Sequence, residues 1–228
     1  MTKPLVLLSL VLALIQYAYG DKKVPTPAEE LIAYEIELTE PSLIQALSRP
    51  EPLVRQNAAI LLGRRSIRPA VPQLRRLLED EFIYARLAAA EALGRLGDPS
   101  GPAALVKALQ ANNNPTVIYA ASSLSELGNA SGYEAVERIS RDSKNAMDRL
   151  QAVRALSKFL RFRDKKPLAV DSLANGMLSD PAQPVRLAAA EELKTLRWED
   201  VKRVFEKASK SSDKVISDIA EEYLRRNR

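Results

Sequence analysis

The chain has 228 residues, of which 46% are hydrophobic and only 5% aromatic, and its formal net charge is +5 at pH 7. It contains neither Cys nor His, which excludes thiol nucleophiles, disulfides, thiolate or imidazole metal sites and His-based acid–base catalysis. The mild basic excess is compatible with several classes of partner. No alternating run rich in Val, Ile or Thr is bounded by turn residues, so the sequence predicts helices and no strands.

The N-terminal segment has the features of a secretory signal peptide. Lys3 supplies a positive charge before a short apolar core over residues 5–15. Ala18 and Gly20 place small residues where a signal peptidase cleaves. The apolar core is about half as long as the roughly 20 residues that a membrane-spanning helix needs. We therefore predict a cleaved signal peptide over residues 1–20 and an exported mature protein, periplasmic or extracellular, with an uncleaved membrane anchor as the alternative.

A polar linker over residues 21–26 leads into the first predicted pair of helices. Thr26 is the predicted N-cap, Pro27 stands at the first helical position, and Glu29 follows at the third, which is the pattern of a capping box. The pair is less repetitive than the segments that follow, as expected for a terminal cap with one face in solvent. We predict this N-terminal cap over residues 27–50.

A helical hairpin recurs along the rest of the chain. Residues 84–96 are rich in Ala and Leu, the best helix formers, and Gly97 ends this helix because glycine tolerates the left-handed conformation needed there. Asp98 and Pro99 then start a second helix. Equivalent residues of successive hairpins lie 31 residues apart, and the pairs include Gly63 and Gly94, Leu74 and Leu105, Leu93 and Leu124, and Gly97 and Gly128. A fixed period of this length is typical of a solenoid.

Later copies of the hairpin keep the pattern while the loops between them change in length. Residues 185–191 repeat residues 85–91 at a spacing of 100, and only the first of the seven residues differs. The sequence predicts five hairpins over residues 52–210 and a C-terminal capping helix over residues 213–226. The first helices of the third and fourth hairpins are predicted over residues 115–127 and 146–159.

The run Val-Arg-x-x-Ala-Ala-x-x-Leu-Gly, followed by Gly-Asp-Pro and a Leu-rich helix, resembles HEAT-like repeats of the phycobilisome-lyase type. The resemblance covers the chain from about Leu53 to Leu224 and implies an all-α, right-handed solenoid of HEAT-like helical hairpins. It implies little about activity, because scaffolds, lyases and hydroxylases share this repeat. Hydroxylases of this type hold iron through His-Glu pairs, and some lyases carry bilin on a Cys of their own. A chain without His and Cys can do neither.

The sequence contains no Gly-rich phosphate loop, paired metal-ligand motif or nucleophile elbow. We therefore expect a non-catalytic exported scaffold, without a cofactor, that binds a protein or peptide partner, with an acidic partner as one option. One alternative is a nucleic-acid-associated protein, since HEAT-like folds build some DNA glycosylases and Arg clusters can contact phosphates. The other alternative is a lyase-like enzyme. Export argues against a nucleic-acid partner, because it separates the protein from nucleic acid. Membrane contact is expected only if the N-terminal segment stays uncleaved.

A row of cations is the candidate partner-binding site. In HEAT-like solenoids the second helices line the concave face, and the resemblance implies the same here. Arg76, Lys107 and Arg138 follow one another at spacings of 31 on three successive second helices, and Gln45 takes this position in the N-terminal cap. Aligned charges in a concavity would attract an acidic protein segment or another polyanion. The alternative is that these side chains are only a solvated surface.

Arginine recurs at another repeat position, near the start of the first helix of the hairpins, and Val117 interrupts this series. The arginines either bind anions or bond to the neighbouring inter-repeat loops, where Asp80 and Asp180 precede helices. We favour the structural role, because Arg presents several donors in a fixed fork that suits carbonyl and carboxylate groups. The four members are Arg55, Arg86, Arg149 and Arg186.

Overall fold

The computed structural model describes residues 25–227, which form helices joined by turns and contain no strand. The predicted signal peptide and most of the predicted linker lie outside the described residues. Between residues 25 and 227, no helix is both long enough and apolar enough to cross a membrane. The helices pair into consecutive hairpins, which confirms the predicted all-α solenoid.

The helices follow the predicted order of a cap, five hairpins and a closing helix. The cap comprises α1 (Pro27–Ala33) and α2 (Glu40–Ala46). The first helices of units one to five are α3 (Pro52–Arg64), α5 (Ile83–Arg95), α7 (Asn114–Glu126), α9 (Ala146–Leu156) and α11 (Gln183–Lys194). The second helices are α4 (Val71–Leu77), α6 (Ser100–Ala108), α8 (Tyr133–Asp142), α10 (Lys166–Ser179) and α12 (Trp198–Ala208). Helix α13 (Lys214–Arg226) follows, and short 3-10 helices occupy Arg68–Ala70 and Ser157–Arg161.

Local sequence signals set the helix ends. Thr26 Oγ1 accepts a hydrogen bond from the backbone N–H of Glu29 at 3.2 Å, and Glu29 Oε2 accepts one from the N–H of Thr26 at 2.7 Å. This reciprocal pair confirms the predicted capping box. Gly97 and Gly128 have positive φ angles of 80° and 82° just past α5 and α7, in the left-handed region that favours glycine. Ser66 takes the equivalent position after α3 with a φ of 57°.

The hydrophobic core continues from one unit to the next. One cluster of buried side chains spans α1 to α5, and a second spans α5 to α13. Helix α5 contributes to both, with Ala89 and Leu93 in the first cluster and Leu87 and Ala90 in the second. Each hairpin therefore buries its apolar faces against its neighbours, which is how a solenoid obtains a core.

The first helices of units one and two lie closer together than their second helices do. Helix α3 packs along α5 more extensively than any other pair of described helices, whereas α4 and α6 scarcely touch. Small residues allow this approach, since a Cβ atom on Gly63 would lie only 2.7 Å from the Cα atom of Ala92. The lining of the concave face by the second helices stays a prediction.

Unit four departs from its predicted boundaries. The sequence predicts one helix over residues 146–159, whereas α9 ends at Leu156 and continues as the 3-10 helix Ser157–Arg161. Phe159 lies in this 3-10 helix and is fully buried, with its ring centroid 5.7 Å from that of Tyr133 in unit three. This irregular turn therefore brings a large aromatic side chain into the contact between units three and four.

Candidate protein interaction surface

The recurring arginines tie each first helix to the loops on either side of it. In all four cases Nη1 donates to two backbone carbonyl groups of the preceding loop, five and six residues earlier. Three of the four also donate to an aspartate that precedes the next first helix or the closing helix, which confirms the structural role. These pairs are Arg55–Asp80, Arg149–Asp180 and Arg186–Asp213, with Nε–Oδ2 distances of 2.7, 2.8 and 2.7 Å.

Each aspartate also bonds to the helix start that follows it. Asp80 Oδ1 accepts a hydrogen bond from the backbone N–H of Phe82, and Asp180 Oδ1 accepts one from the N–H of Ala182, both at 2.8 Å. The side chains of Arg149 and Asp180 are only 9% and 5% exposed, so protein groups replace water around these charges. An Arg–Asp pair thereby fixes a first helix relative to the loops before and after it.

Sequence reasoning identified Asp80 and Asp180 as acceptors but missed Asp213. This residue immediately precedes α13, and its Oδ1 atom accepts a hydrogen bond from the backbone N–H of Val215 at 3.0 Å. The sequence does indicate a capping role for Asp213, because Asp directly before a helix is a favoured N-cap. The closing helix lies outside the hairpin register, however, so spacing alone does not connect Asp213 with Arg186.

The ion pair changes the ionisation of Asp80. The hydrogen bond from Arg55 is the largest effect and lowers the pKa of Asp80 below its ordinary value, although burial acts in the opposite direction. A carboxyl group whose pKa is lower in the folded chain stabilises the fold above its unfolded pKa. That contribution is lost as the pH falls through the folded pKa, so acidification below about pH 4 should reduce the free energy of unfolding.

An Asp80→Asn variant isolates this effect. We expect it to be less stable than the wild type at pH 7, and we expect the difference to shrink below about pH 4, where Asp80 itself becomes protonated. Urea denaturation from pH 7 to about pH 2.5 measures the difference. The control is Asp171→Asn, at an exposed carboxyl with no ion pair within 4.0 Å in the described part of the chain. A stability difference that stays constant with pH would contradict the assignment.

The structure places the predicted cationic row on the surface of the second helices. Arg76 of α4, Lys107 of α6 and Arg138 of α8 are all exposed, as is Gln45 of α2. None of the three cations has a carboxylate oxygen within 4.0 Å among residues 25–227. The role of this row in binding stays a prediction.

Two cations near the C-terminal ends of first helices, Arg95 and Lys158, bond to carboxylates of their own chain instead. Glu126 accepts a hydrogen bond from Arg95 Nη2 at 2.6 Å and one from Lys158 Nζ at 2.5 Å. Burial raises the pKa of Glu126, but these two cations outweigh burial and lower it. Glu91 pairs with the same Arg95 at 3.0 Å and accepts a hydrogen bond from Ser123. Within the described chain, the cations of the predicted row thus form no ion pair, whereas Arg95 and Lys158 are neutralised by Glu91 and Glu126.

Two overlapping segments of the chain, residues 40–125 and 103–194, match the family model for HEAT repeats. Together they cover more than half of the sequence. The protein belongs to the HEAT repeat family. None of the curated proteins compared with the sequence matches it.

The chain is similar to several solved structures at low sequence identity. YibA from Escherichia coli is 19% identical with a TM-score of 0.55, and the match covers 90% of this chain and 77% of YibA. An engineered protein is 20% identical with a TM-score of 0.49 over 80% of this chain and 94% of its own. The complex of CpcE and CpcF of phycocyanin lyase from Nostoc sp. PCC7120 gives 18% identity and a TM-score of 0.43 over 92% of this chain and 91% of that chain. At 19% identity, the likeness to YibA shows the fold alone.

A cleft opens between the second helices of units three and four in this HEAT-repeat stack. It has a volume of about 320 Å³ and is lined by α8, α9, α10 and the loops that follow α8 and α10. Its charged groups already have partners, since Arg141 pairs with Glu137 at 2.7 Å and Arg149 pairs with Asp180. Residues 25–227 also contain no group of three or more acidic side chains that could hold a metal ion.

Proposed function

We propose that this protein is an exported, non-catalytic HEAT-repeat scaffold that binds an acidic segment of a protein partner through Arg76, Lys107 and Arg138. HEAT repeats generally mediate protein interactions, and the chain is built from them over most of its length. Gln45 extends the same surface into the N-terminal cap as an uncharged hydrogen-bonding group.

The observation that carries the proposal is that these three cations form no close ion pair. They recur at one repeat position, they are exposed, and none has a carboxylate within 4.0 Å in the part of the chain that the structure describes. Asp142 interacts with Arg138 electrostatically from beyond this distance. Aligned like charges raise the local potential and speed the encounter with an oppositely charged partner. In units four and five the corresponding positions hold Gly176 and Glu206, so the basic surface ends after unit three.

The export part of the proposal is supported by the sequence of residues 1–20. An exported location would separate the protein from nucleic acid, which favours a protein partner. Intact-mass measurement of the protein from its native host tests this step, and we expect the mature chain to begin at Asp21. A chain that retains Met1 and fractionates with the membrane would indicate an anchor instead.

Partner capture from the native compartment tests the binding function. The mature wild type and a triple variant (Arg76→Ala, Lys107→Ala, Arg138→Ala) are immobilised, and the retained proteins are identified by mass spectrometry. We expect the wild type to retain an acidic partner and the triple variant to retain about tenfold less of it. Circular dichroism confirms that the variant is folded, as expected for substitutions at exposed positions.

A second triple variant controls for the loss of charge. Lys144→Ala, Arg154→Ala and Arg203→Ala together remove the same charge from exposed side chains that have no ion pair within 4.0 Å among residues 25–227. We expect this control to retain the partner. Equal retention by both triple variants would mean that the predicted row is only a solvated surface. A wild type that retains no protein would contradict the scaffold function.

A further inference from the structure

One arginine of the recurring series lacks an aspartate partner. Arg86 donates through Nη1 to the carbonyl groups of Asp80 and Glu81, as the other three do to their own preceding loops. The aspartates that bind the other three arginines follow them by 25, 31 and 27 residues. At the repeat spacing of 31, the residue equivalent to Asp80 in the loop that follows Arg86 is Ala111, which has no carboxylate. Neither Nε nor Nη2 of Arg86 has a hydrogen-bond partner among residues 25–227.

A backbone donor stands at the same place. Asp80 and Asp180 each accept a hydrogen bond from the backbone N–H two residues further on. In unit three the equivalent residue is Asn113, whose N–H has no acceptor in the described chain. The side chain of Asn113 caps α7 by accepting from the N–H of Thr116. The repeat register therefore directs three unused donors, Arg86 Nε, Arg86 Nη2 and the N–H of Asn113, to one point.

These donors are accessible to a ligand. Arg86 is only partly buried. The buried side-chain nitrogen and oxygen atoms without a partner in the described residues are Gln73 Oε1 and Thr116 Oγ1, and no nitrogen of Arg86 is among them. Because Nε and Nη2 lack a protein partner and are not buried, solvent and ligands can reach them.

We propose that the guanidinium edge of Arg86 and the backbone N–H of Asn113 form a binding site for an Asp or Glu side chain of the protein partner. The site rests on the proposed function, because its ligand belongs to an acidic partner segment. The chain itself shows the geometry in unit one, where Arg55 holds Asp80 with Nε–Oδ2 and Nη2–Oδ1 distances of 2.7 and 2.8 Å. Paired parallel hydrogen bonds of this kind select a planar carboxylate over a spherical anion.

Binding of a capped peptide tests the site. The probe is acetyl-Gly-Asp-Gly-amide, added to the full mature protein, and the neutral control is acetyl-Gly-Asn-Gly-amide. The NMR signals of Arg86 Nε–Hε and of the Asn113 amide report binding. We expect both signals to shift saturably with the Asp peptide and by less than about a tenth as much with the Asn peptide. No saturable shift, or equal shifts with both peptides, overturns the site.

An Ala111→Asp variant supplies the carboxylate from within the chain. We expect its Arg86 signal to be displaced before any peptide is added, and we expect its affinity for the Asp peptide to fall about tenfold or more. Ala111→Asn is the matched control, because Asn has the shape of Asp without its charge, and its affinity should stay within about threefold of the wild type. Equal affinities of the two variants would overturn the proposal.

A second variant tests the site without adding a carboxylate. Arg86→Lys keeps the charge but removes the paired donors, so the peptide-induced shift of the Asn113 amide should disappear. A shift as large as that of the wild type would overturn the proposal. These peptide results are independent of partner capture by Arg76, Lys107 and Arg138. Loss of peptide binding with intact capture removes only the Arg86 site, whereas absence of any captured partner contradicts the proposed function.

Discussion

Replacing Arg149 with alanine is expected to lower the free energy of unfolding by about 3–5 kcal/mol. The side chains of Arg149 and Asp180 are 9% and 5% exposed, so the truncation leaves a buried carboxylate without its counterion. It also removes the hydrogen bonds from Nη1 to the carbonyl groups of Ser143 and Lys144. Urea denaturation followed by circular dichroism measures the loss.

Arg186→Ala is the matched control for this prediction. The Arg186 side chain makes the same kind of bond to Asp213, with an Nε–Oδ2 distance of 2.7 Å, but the two side chains are 19% and 22% exposed. Water can therefore solvate the remaining carboxylate, and we expect a smaller loss of about 1–2 kcal/mol. Equal losses in the two variants would contradict the view that burial determines the strength of the effect.

Truncation of Phe159 to alanine is expected to lower the free energy of unfolding by about 3–5 kcal/mol. The side chain is fully buried, and its ring lies between those of Tyr133 and Phe162, with centroid distances of 5.7 and 6.0 Å. Removing it leaves a cavity between units three and four. Neighbouring helices can close such a cavity only in part, because their own contacts hold them in place.

Phe159→Leu controls for the size of this cavity. Leucine retains an apolar side chain and fills part of the space, so we expect a loss of less than about 2 kcal/mol. Thermal and urea denaturation of both variants measure the difference. A small and equal loss for both substitutions would show that Phe159 is not a main contact between the units.

The hairpins could be predicted from the sequence because their signals are local. The helix predicted over residues 115–127 lies at Asn114–Glu126, one residue away at each end. The periodic Ala and Leu residues define a helix, and glycine at residues 97 and 128 ends it with a positive φ angle. These signals repeat at a fixed spacing, so the units could be placed without knowledge of their packing.

The packing between units could not be predicted in the same way. It depends on contacts such as the approach of Gly63 to Ala92, which no local pattern specifies. Periodicity over residues 146–159 predicted a continuous α-helix, because it does not distinguish α from 3-10 winding at Phe159.

The candidate site was predictable in position but not in its electrostatic state. A spacing of 31 residues is enough to align Arg76, Lys107 and Arg138. Whether such a cation is unpaired depends on carboxylates brought near it by folding. Glu126, for example, is 31 residues from Arg95 and 32 from Lys158, and the structure brings it between them.

Association kinetics at different salt concentrations test the central claim most directly. The captured acidic partner is passed over immobilised mature protein at salt concentrations from about 50 to 500 mM, and the association rate is measured by surface plasmon resonance. We expect a steep fall of the wild-type rate with salt. The variant Arg76→Ala, Lys107→Ala, Arg138→Ala should lose most of this dependence, with little change in its dissociation rate. A variant that keeps the wild-type association rate and salt dependence would contradict the claim that this row binds the partner.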